Sequence, residues 1–284
     1  MTIWWKDYEI IATGDGKKLE RWGNVFLLRP DPQVIWRARI DMDNYPKLNA
    51  KYIPDGKNGE KWESIRLIPE SFNISYNDLT FSLRLMKGFK HTGLFPEQAC
   101  NWNRMITLIK AAERPISVLN LFAYTGGATL ACLSAGASVC HVDAAQSMVL
   151  RAKENAQLSG LANKSVRYIV DDCLKFVTRE IRRGKKYDAI IMDPPSFGRG
   201  PNGELWKIED NLFDLIAETV DLLSDKPLFY LVNSYTTGLQ PTVIKNLIDI
   251  NLRSKGAKTI AYEVTLPTDE GIDLPCGCSG LATF

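Results

Sequence analysis

The sequence predicts an α/β fold: an open, mainly parallel sheet covered by helices, preceded by a small β-rich domain. Three observations lead there. The run Ile116-Ser-Val-Leu-Asn-Leu121 is apolar at four of six positions and reads as a strand buried on both faces. It breaks at Tyr124-Thr-Gly-Gly127 and continues as a small-residue helix, residues 128–135, stopped by Gly136. Strand, glycine turn and helix bring backbone N–H groups and a helix N-terminus to one point, which receives a polar ligand in open α/β sheets. A Gly-Gly pair after a strand also reads, on its own, as a plain tight turn. Second, Val139-Cys-His-Val-Asp143 is a strand ending in an acid about twenty residues beyond those glycines, the spacing at which a carboxylate meets a ribose diol. Third, Val166-Arg-Tyr-Ile-Val170 ends in Asp171-Asp172, and Tyr187-Asp-Ala-Ile-Ile-Met192 ends in Asp193-Pro-Pro-Ser-Phe197. The C-terminal tips of parallel strands gather on one sheet edge, where ligands bind.

Residues 1–92 differ in texture and are expected to form a small antiparallel β-rich domain; residues 93–284 form the second domain. Strands are expected at 9–12, 18–22, 24–29 and 34–38, with a turn at Gly14-Asp-Gly16. Residues 45–61 hold two prolines and read as a loop. Residues 62–67, 72–76 and 79–85 alternate as strands do, with Asn77-Asp78 as a hairpin turn. Residues 95–112 are helical in pattern, with Pro96 in the first turn. Further helices are expected at 145–159, 174–183, 208–223 and 241–252, and a strand at 227–232 tipped by Asn233-Ser-Tyr-Thr-Thr237. Residues 259–264 and 279–284 close the chain as a hairpin. The glycine-rich stretch 198–203 sits on the ligand edge and suits a lid.

The chain has 284 residues, 45% of them hydrophobic, which is enough for a substantial core and one or two domains. Its net charge of +2 provides no global field toward nucleic acid. Arg179, Arg182, Arg183, Lys185 and Lys186 crowd one helix end, either as a local basic patch or as cations solvating a helix C-terminus. Trp4, Trp5, Trp22, Trp36 and Trp62, near Arg21, Arg37, Arg39 and Arg84, either clamp an RNA single strand or fill a small β core. No stretch is apolar enough to span a membrane, and the N-terminus lacks a signal-peptide pattern. The cysteines at 100, 132, 140, 173, 276 and 278 form no Cys-x-x-Cys, and His91 and His141 lack ligand-like spacing to them. The expectation is a reducing, cytoplasmic setting with no metal site.

The segments Leu119-Asn-Leu-Phe-Ala-Tyr-Thr-Gly-Gly127, Asp143, Asp172 and Asp193-Pro-Pro-Ser-Phe197, in that order, resemble a class I S-adenosylmethionine-dependent methyltransferase. They are most similar to bacterial methyltransferases that modify large-subunit ribosomal RNA bases, the cytosine-C5 and guanine-N7 kinds. His91-Thr-Gly-Leu-Phe-Pro-Glu-Gln98 resembles a segment that precedes the first strand in that group, and residues 197–206 resemble a subgroup named only as methyltransferases. The likeness covers residue 90 to the end and is more specific for the cofactor than for the acceptor. It implies a seven-stranded, Rossmann-like sheet with its last strand antiparallel, S-adenosyl-L-methionine as cofactor, and ribosomal RNA as partner.

The resemblance also implies roles. Gln98 and the turn before it would lie beside the cofactor, although they also read as simple capping and packing; Phe122 would also bind the cofactor, and backbone groups of Ala123, Tyr124, Thr125, Gly126 and Gly127 would hold the methionine end and the ribose. Asp143, followed by Ala144, would accept from the ribose diol. Asp172 would accept from the adenine amine, with Asp171 competing for that place, and Cys173 could lie against the adenine ring. Asp193, Pro194, Pro195 and Phe197 would form the acceptor site: prolines fix the turn, Asp193 anchors the donor or takes up a proton, and Phe197 stacks on an unstacked base. Cytosine-C5 chemistry needs a thiolate that adds to the ring. In the resembling enzymes it follows the fourth or fifth strand, where this chain has Pro195-Ser196 and Asn233-Ser-Tyr-Thr236. The expectation is therefore direct transfer to a nitrogen of an RNA base, with no covalent adduct. Other readings are a methyltransferase for a small molecule or protein, a cofactor-binding scaffold without catalysis, and a dinucleotide dehydrogenase; the absence of Gly-x-Gly-x-x-Gly counts against the last.

Overall fold

The structure is a computed structural model and describes residues 4–54, 59–199 and 205–284. The chain divides into two compact units, residues 1–99 with 265–275, and residues 100–264 with 276–284. The sequence reading placed a single boundary at 92/93; in the structure the chain passes from one unit to the other three times.

The first unit carries β1 (Tyr8–Gly14), β2 (Lys17–Trp22), β3 (Val25–Pro30), β4 (Ala50–Pro54) and β5 (Glu60–Ser64) in one sheet of that order, and a separate hairpin, β6 (Phe72–Tyr76) with β7 (Leu79–Leu83). The sheet is not purely antiparallel, because β3 and β4 run parallel. β4 lies inside the proline-containing stretch expected to be a loop, and residues 34–38, expected to be a strand, are irregular. That segment hydrogen-bonds instead to the β1–β2 turn, with Asp15 N donating to Trp36 O and Gly16 N to Val34 O. Trp5 and Trp22 are buried, and Tyr8 packs edge-on to Trp22 at 4.5 Å. For these two, core filling is the reading that holds; Trp4 is exposed. Buried Glu20 accepts two bonds from Arg29, at 2.6 and 2.7 Å, and one from the Tyr8 hydroxyl at 2.7 Å. Burial alone would raise its pKa, but Arg29 and these bonds hold it below the usual carboxylate value. Residues 265–275 supply Glu270, which accepts from Thr13 N at 2.8 Å and Thr13 Oγ1 at 3.0 Å.

The second unit is the α/β sheet that the sequence predicts. Its strands are β8 (Ser117–Leu121), β9 (Ser138–Asp143), β10 (Val166–Val170), β11 (Ala189–Met192), β14 (Phe229–Ser234), β15 (Lys258–Pro267) and β16 (Asp273–Thr283), in the order β10-β9-β8-β11-β14-β16-β15. A small ribbon pairs β12 (Phe197–Arg199) with β13 (Leu205–Lys207). The helices are α1 (Ala99–Ala111), α2 (Gly127–Ser134), α3 (Gln146–Leu158), α4 (Cys173–Arg182), α5 (Ile208–Val220) and α6 (Pro241–Leu252). Every residue of β11 and β14 is buried, as continuous apolar runs in a doubly covered sheet require. Each buried Leu, Ile or Val side chain contributes about 1.5–3 kcal/mol. From β8 to β11 and β14 the strands are parallel, and β16 pairs antiparallel with β14. Strand order reverses between β8 and β11, so their C-terminal tips form a topological switch point.

Candidate active site

The β8–α2 connection is an unusual backbone. Phe122, Tyr124 and Gly126 all have positive φ, at 54°, 49° and 88°. Two of these are aromatic residues, for which the left-handed region is costly, and such conformations cluster at ligand sites. The loop is over-determined by its surroundings. Ala123 N donates to Val142 O at 3.0 Å, Tyr124 N to Asp143 Oδ2 at 2.8 Å, and Asn155 Nδ2 to Thr125 O at 2.9 Å. A Cβ on Gly126 would fall 2.9 Å from Ala152 Cβ, and one on Gly127 would fall 2.5 Å from the Trp102 ring. The two glycines are thus already required by protein packing. Behind the loop, Asn120, Thr129 and His141 form a buried cluster, and burial pushes the His141 imidazole down to about 3, which keeps it neutral.

The acid tips of β9 and β10 lie beside this loop. Asp143 accepts from Tyr124 N through Oδ2 and from Ala145 N through Oδ1, both at 2.8 Å. Burial raises its pKa, and these two N–H bonds pull it partly back. Each carboxylate oxygen keeps a further lone pair for a ligand hydroxyl. Asp171 N donates to Asp143 O at 3.1 Å, while the Asp171 carboxylate is paired with Arg179. Asp172 is the N-cap of α4, its Oδ1 accepting from Lys175 N at 3.0 Å. Cys173 is buried in the core; Phe122 N donates to its Sγ at 3.3 Å, and burial pushes its thiol up to about 12. Its side chain supports the loop from beneath.

At the β11 tip, Asp193 Oδ1 accepts from Asn233 Nδ2 at 2.8 Å. Ser196 and Thr236 share a hydroxyl bond of 2.6 Å, linking the tips of β11 and β14. Trp206 Nε1 donates to Pro195 O at 2.6 Å, and its ring lies 5.8 Å from Phe122. The carbonyl of Pro195 is thus engaged within the protein. Phe197 begins β12, is 56% exposed, and is open to a planar ligand.

Contacts join residues of the 122–127 loop to Asp143 and Cys173, and through Trp206 to Pro195, while Asp193 meets Asn233 at the β14 tip and Phe197 pairs with Lys207 in the small ribbon; exposed Ala144 follows Asp143, and Asp172 caps α4. Gln98 closes a 3-10 turn, Pro96–Gln98, in the first unit. Of the suggested lid, residues 200–203 lie outside the described residues, and residues 197–199 form a strand. Asn155, Trp206 and Asn233 were assigned no role from sequence, although Asn155, a polar residue on the buried stripe of α3, was a visible signal. No group of three or more His, Cys, Asp or Glu suited to a metal occurs among the described residues.

A loop holding three left-handed residues beside a half-buried carboxylate at a switch point suits a nucleoside ligand. The comparisons agree. A family model for S-adenosylmethionine-dependent methyltransferases matches residues 36–215. The crystal structure of the SAM-dependent methyltransferase from Agrobacterium tumefaciens is 32% identical, with a TM-score of 0.92, covering 99% of this chain and 92% of that one. Ribosomal RNA large subunit methyltransferase K of Neisseria meningitidis is 26% identical over 230 residues, 78% of this chain and 64% of that protein. Ribosomal RNA large subunit methyltransferase K/L of Shewanella baltica is 32% identical over 191 residues, 66% of this chain and 25% of its own length. The chain thus spans just under two thirds of the first relative and a quarter of the second. With fold, site and family model in agreement, this chain belongs to the S-adenosylmethionine-dependent methyltransferase family.

Proposed function

We propose that this protein methylates a nitrogen of a ribosomal RNA base by direct transfer, in the cytoplasm. The observation that supports the direct route is that the tips of β11 and β14, Pro195-Ser196 and Asn233-Ser-Tyr-Thr236, carry no cysteine. Of the cysteines on the neighbouring elements, Cys173 is buried and held under Phe122 with its thiol pushed up to about 12, and Cys278, the cross-strand partner of Ser234, donates to Leu239 O at 2.9 Å with its thiol pushed up to about 11. The RNA acceptor rests on the two rRNA-modifying relatives and on the exposed ring of Phe197 beside the Asp193-Pro194-Pro195 turn.

S-adenosylmethionine, when bound, supplies a methyl group already activated on a sulfonium. The chain's task is alignment and exclusion of water. Asp143 accepts from the ribose diol, and the backbone of residues 122–127 receives the methionine end. Asp172 spares one carboxylate oxygen from its cap for the adenine amine. Asp193 accepts a hydrogen bond at the transfer point, and the rigid Pro194–Pro195 backbone presents a carbonyl to the incoming base.

Tritiated S-adenosylmethionine with undermodified ribosomal RNA in one tube, and with a metabolite extract in another, tests this. Label in the RNA, recovered as an N-methylated nucleoside, is expected. Label confined to the small molecules, or on carbon 5 of cytosine, would overturn it.

A further inference from the structure

Four side chains behind Asp193 form an unbroken series of hydrogen bonds. The Tyr262 hydroxyl donates to Asn101 Oδ1 at 2.6 Å, and Asn101 Nδ2 donates to Ser279 Oγ at 2.9 Å. Ser279 Oγ donates to Asn233 Oδ1 at 2.7 Å, and Asn233 Nδ2 donates to Asp193 Oδ1 at 2.8 Å. Asn101, Ser279 and Asn233 are almost wholly buried. All five residues belong to the second unit, on α1, β14, β15, β16 and the tip that follows β11. Ser279 is the cross-strand partner of Asn233, so the β14–β16 register itself brings the central pair together. The neighbouring glycines admit β16: a Cβ on Gly280 would lie 2.6 Å from Ile248, and one on Gly277 would lie 2.6 Å from Ser234 O.

The direction of the series is dictated by its end. A carboxylate only accepts, so Asn233 must turn its amide nitrogen to Asp193 and its oxygen to Ser279. That oxygen obliges Ser279 to donate, so its own oxygen receives Asn101 Nδ2. Asn101 then offers an oxygen to Tyr262. Each bond polarises the next, and in a buried setting such chains strengthen cooperatively. The Arg104 guanidinium lies over the Tyr262 ring at 4.3 Å, which places a cation at the donor end and an anion at the acceptor end. Cys278, next to Ser279, has its thiol pushed up to about 11 by burial and adds no charge.

We infer that Tyr262, Asn101, Ser279 and Asn233 are positioning residues, whose one-directional hydrogen-bond chain holds the Asp193 carboxylate oriented for methyl transfer. The inference rests on the reading of Asp193 as part of the transfer site. Tyr262 acts from four hydrogen bonds away and touches neither cofactor nor acceptor in this scheme.

The test uses full-length protein labelled with carboxyl-13C aspartate, the Asp193 resonance being assigned with Asp193→Asn. Tyr262→Phe keeps the ring and the Arg104 stack and removes only the hydroxyl; Ser279→Ala cuts the chain at its centre. At neutral pH the Asp193 resonance should move in both variants, further in Ser279→Ala. Transfer to undermodified ribosomal RNA should show kcat down by about 3- to 10-fold, with KM and cofactor affinity within about twofold. An unmoved resonance in both folded variants, or a change confined to KM, overturns the inference. If Ser279→Ala does not fold, Tyr262→Phe decides alone. If wild-type protein methylates no RNA, the proposed function fails, and the carboxylate resonance still decides the chain.

Discussion

Asp143→Asn isolates the carboxylate at the tip of β9 with almost no change in volume. Both its oxygens are engaged by backbone donors, Tyr124 N and Ala145 N, each at 2.8 Å. An amide offers one oxygen where the carboxylate offers two, so one N–H faces an NH2. Losing that partner costs about 1–3 kcal/mol, nearer the lower figure where water reaches the site. The Tyr124 bond supports a residue held at φ 49°, so the loop is the element expected to loosen. For cofactor affinity, two ribose hydroxyls exchange an anionic acceptor for a neutral amide. Charge-assisted bonds are roughly twice as strong as neutral ones, so the loss is about 1–3 kcal/mol, or about 5- to 150-fold in Kd. Isothermal titration of S-adenosylmethionine into wild-type and variant protein, with thermal melts alongside, reads both numbers. A folded Asp143→Asn protein with Kd within twofold of wild type would refute the placement of the ribose on this carboxylate.

The same group gives a pH dependence: burial raises the Asp143 pKa, so its charged form is lost at a higher pH than an ordinary carboxylate's. Cofactor affinity should be full at neutral pH and fall on acidification, beginning above the usual Asp range; titrations across that range check it. Folding has the opposite sign, because a raised native pKa makes Asp143 unfavourable once both states are ionised and less so as pH falls through the native value. Gly126→Ala should lower stability more than Gly160→Ala. Both have positive φ, at 88° and 69°, but only the former Cβ meets a neighbour, Ala152 at 2.9 Å. About 1 kcal/mol is expected for Gly160 and about 2–5 kcal/mol for Gly126, read as melting temperatures, and equal shifts would dismiss the packing argument. Trp206→Phe removes the donor to Pro195 O; transfer to RNA should drop several-fold with cofactor affinity within twofold, as kcat and Kd measurements will show.

The seven-stranded sheet was legible because its strands are apolar runs ending in punctuated tips. Residues 241–252 were even bounded correctly, with Pro241 opening the helix. The four tips could be ranked as a site from spacing alone. The left-handed conformations of Phe122 and Tyr124 could not, since neither residue type advertises positive φ. Nor could sequence distinguish the neighbours Asp171 and Asp172: one pairs with Arg179 and the other caps a helix, and both choices depend on where α4 begins. β4 was hidden because Pro46 stands just before it and Pro54 ends it, and a five-residue strand has little periodicity to read. The chain of donors behind Asp193 joins positions 178 residues apart, such as Asn101 and Ser279, which local patterning cannot reach.

The segment 265–275 makes the β-rich unit a product of two distant stretches of polypeptide. Its Glu270 closes on Thr13, and Thr268 bridges Ile10, so a fragment ending at residue 99 loses those supports along β1. Excising that unit intact takes more than one cut, and grafting it onto another enzyme would mean transplanting a hairpin tip as well. During synthesis on the ribosome, its last piece emerges only after most of the catalytic sheet, so completing one half must wait for the other.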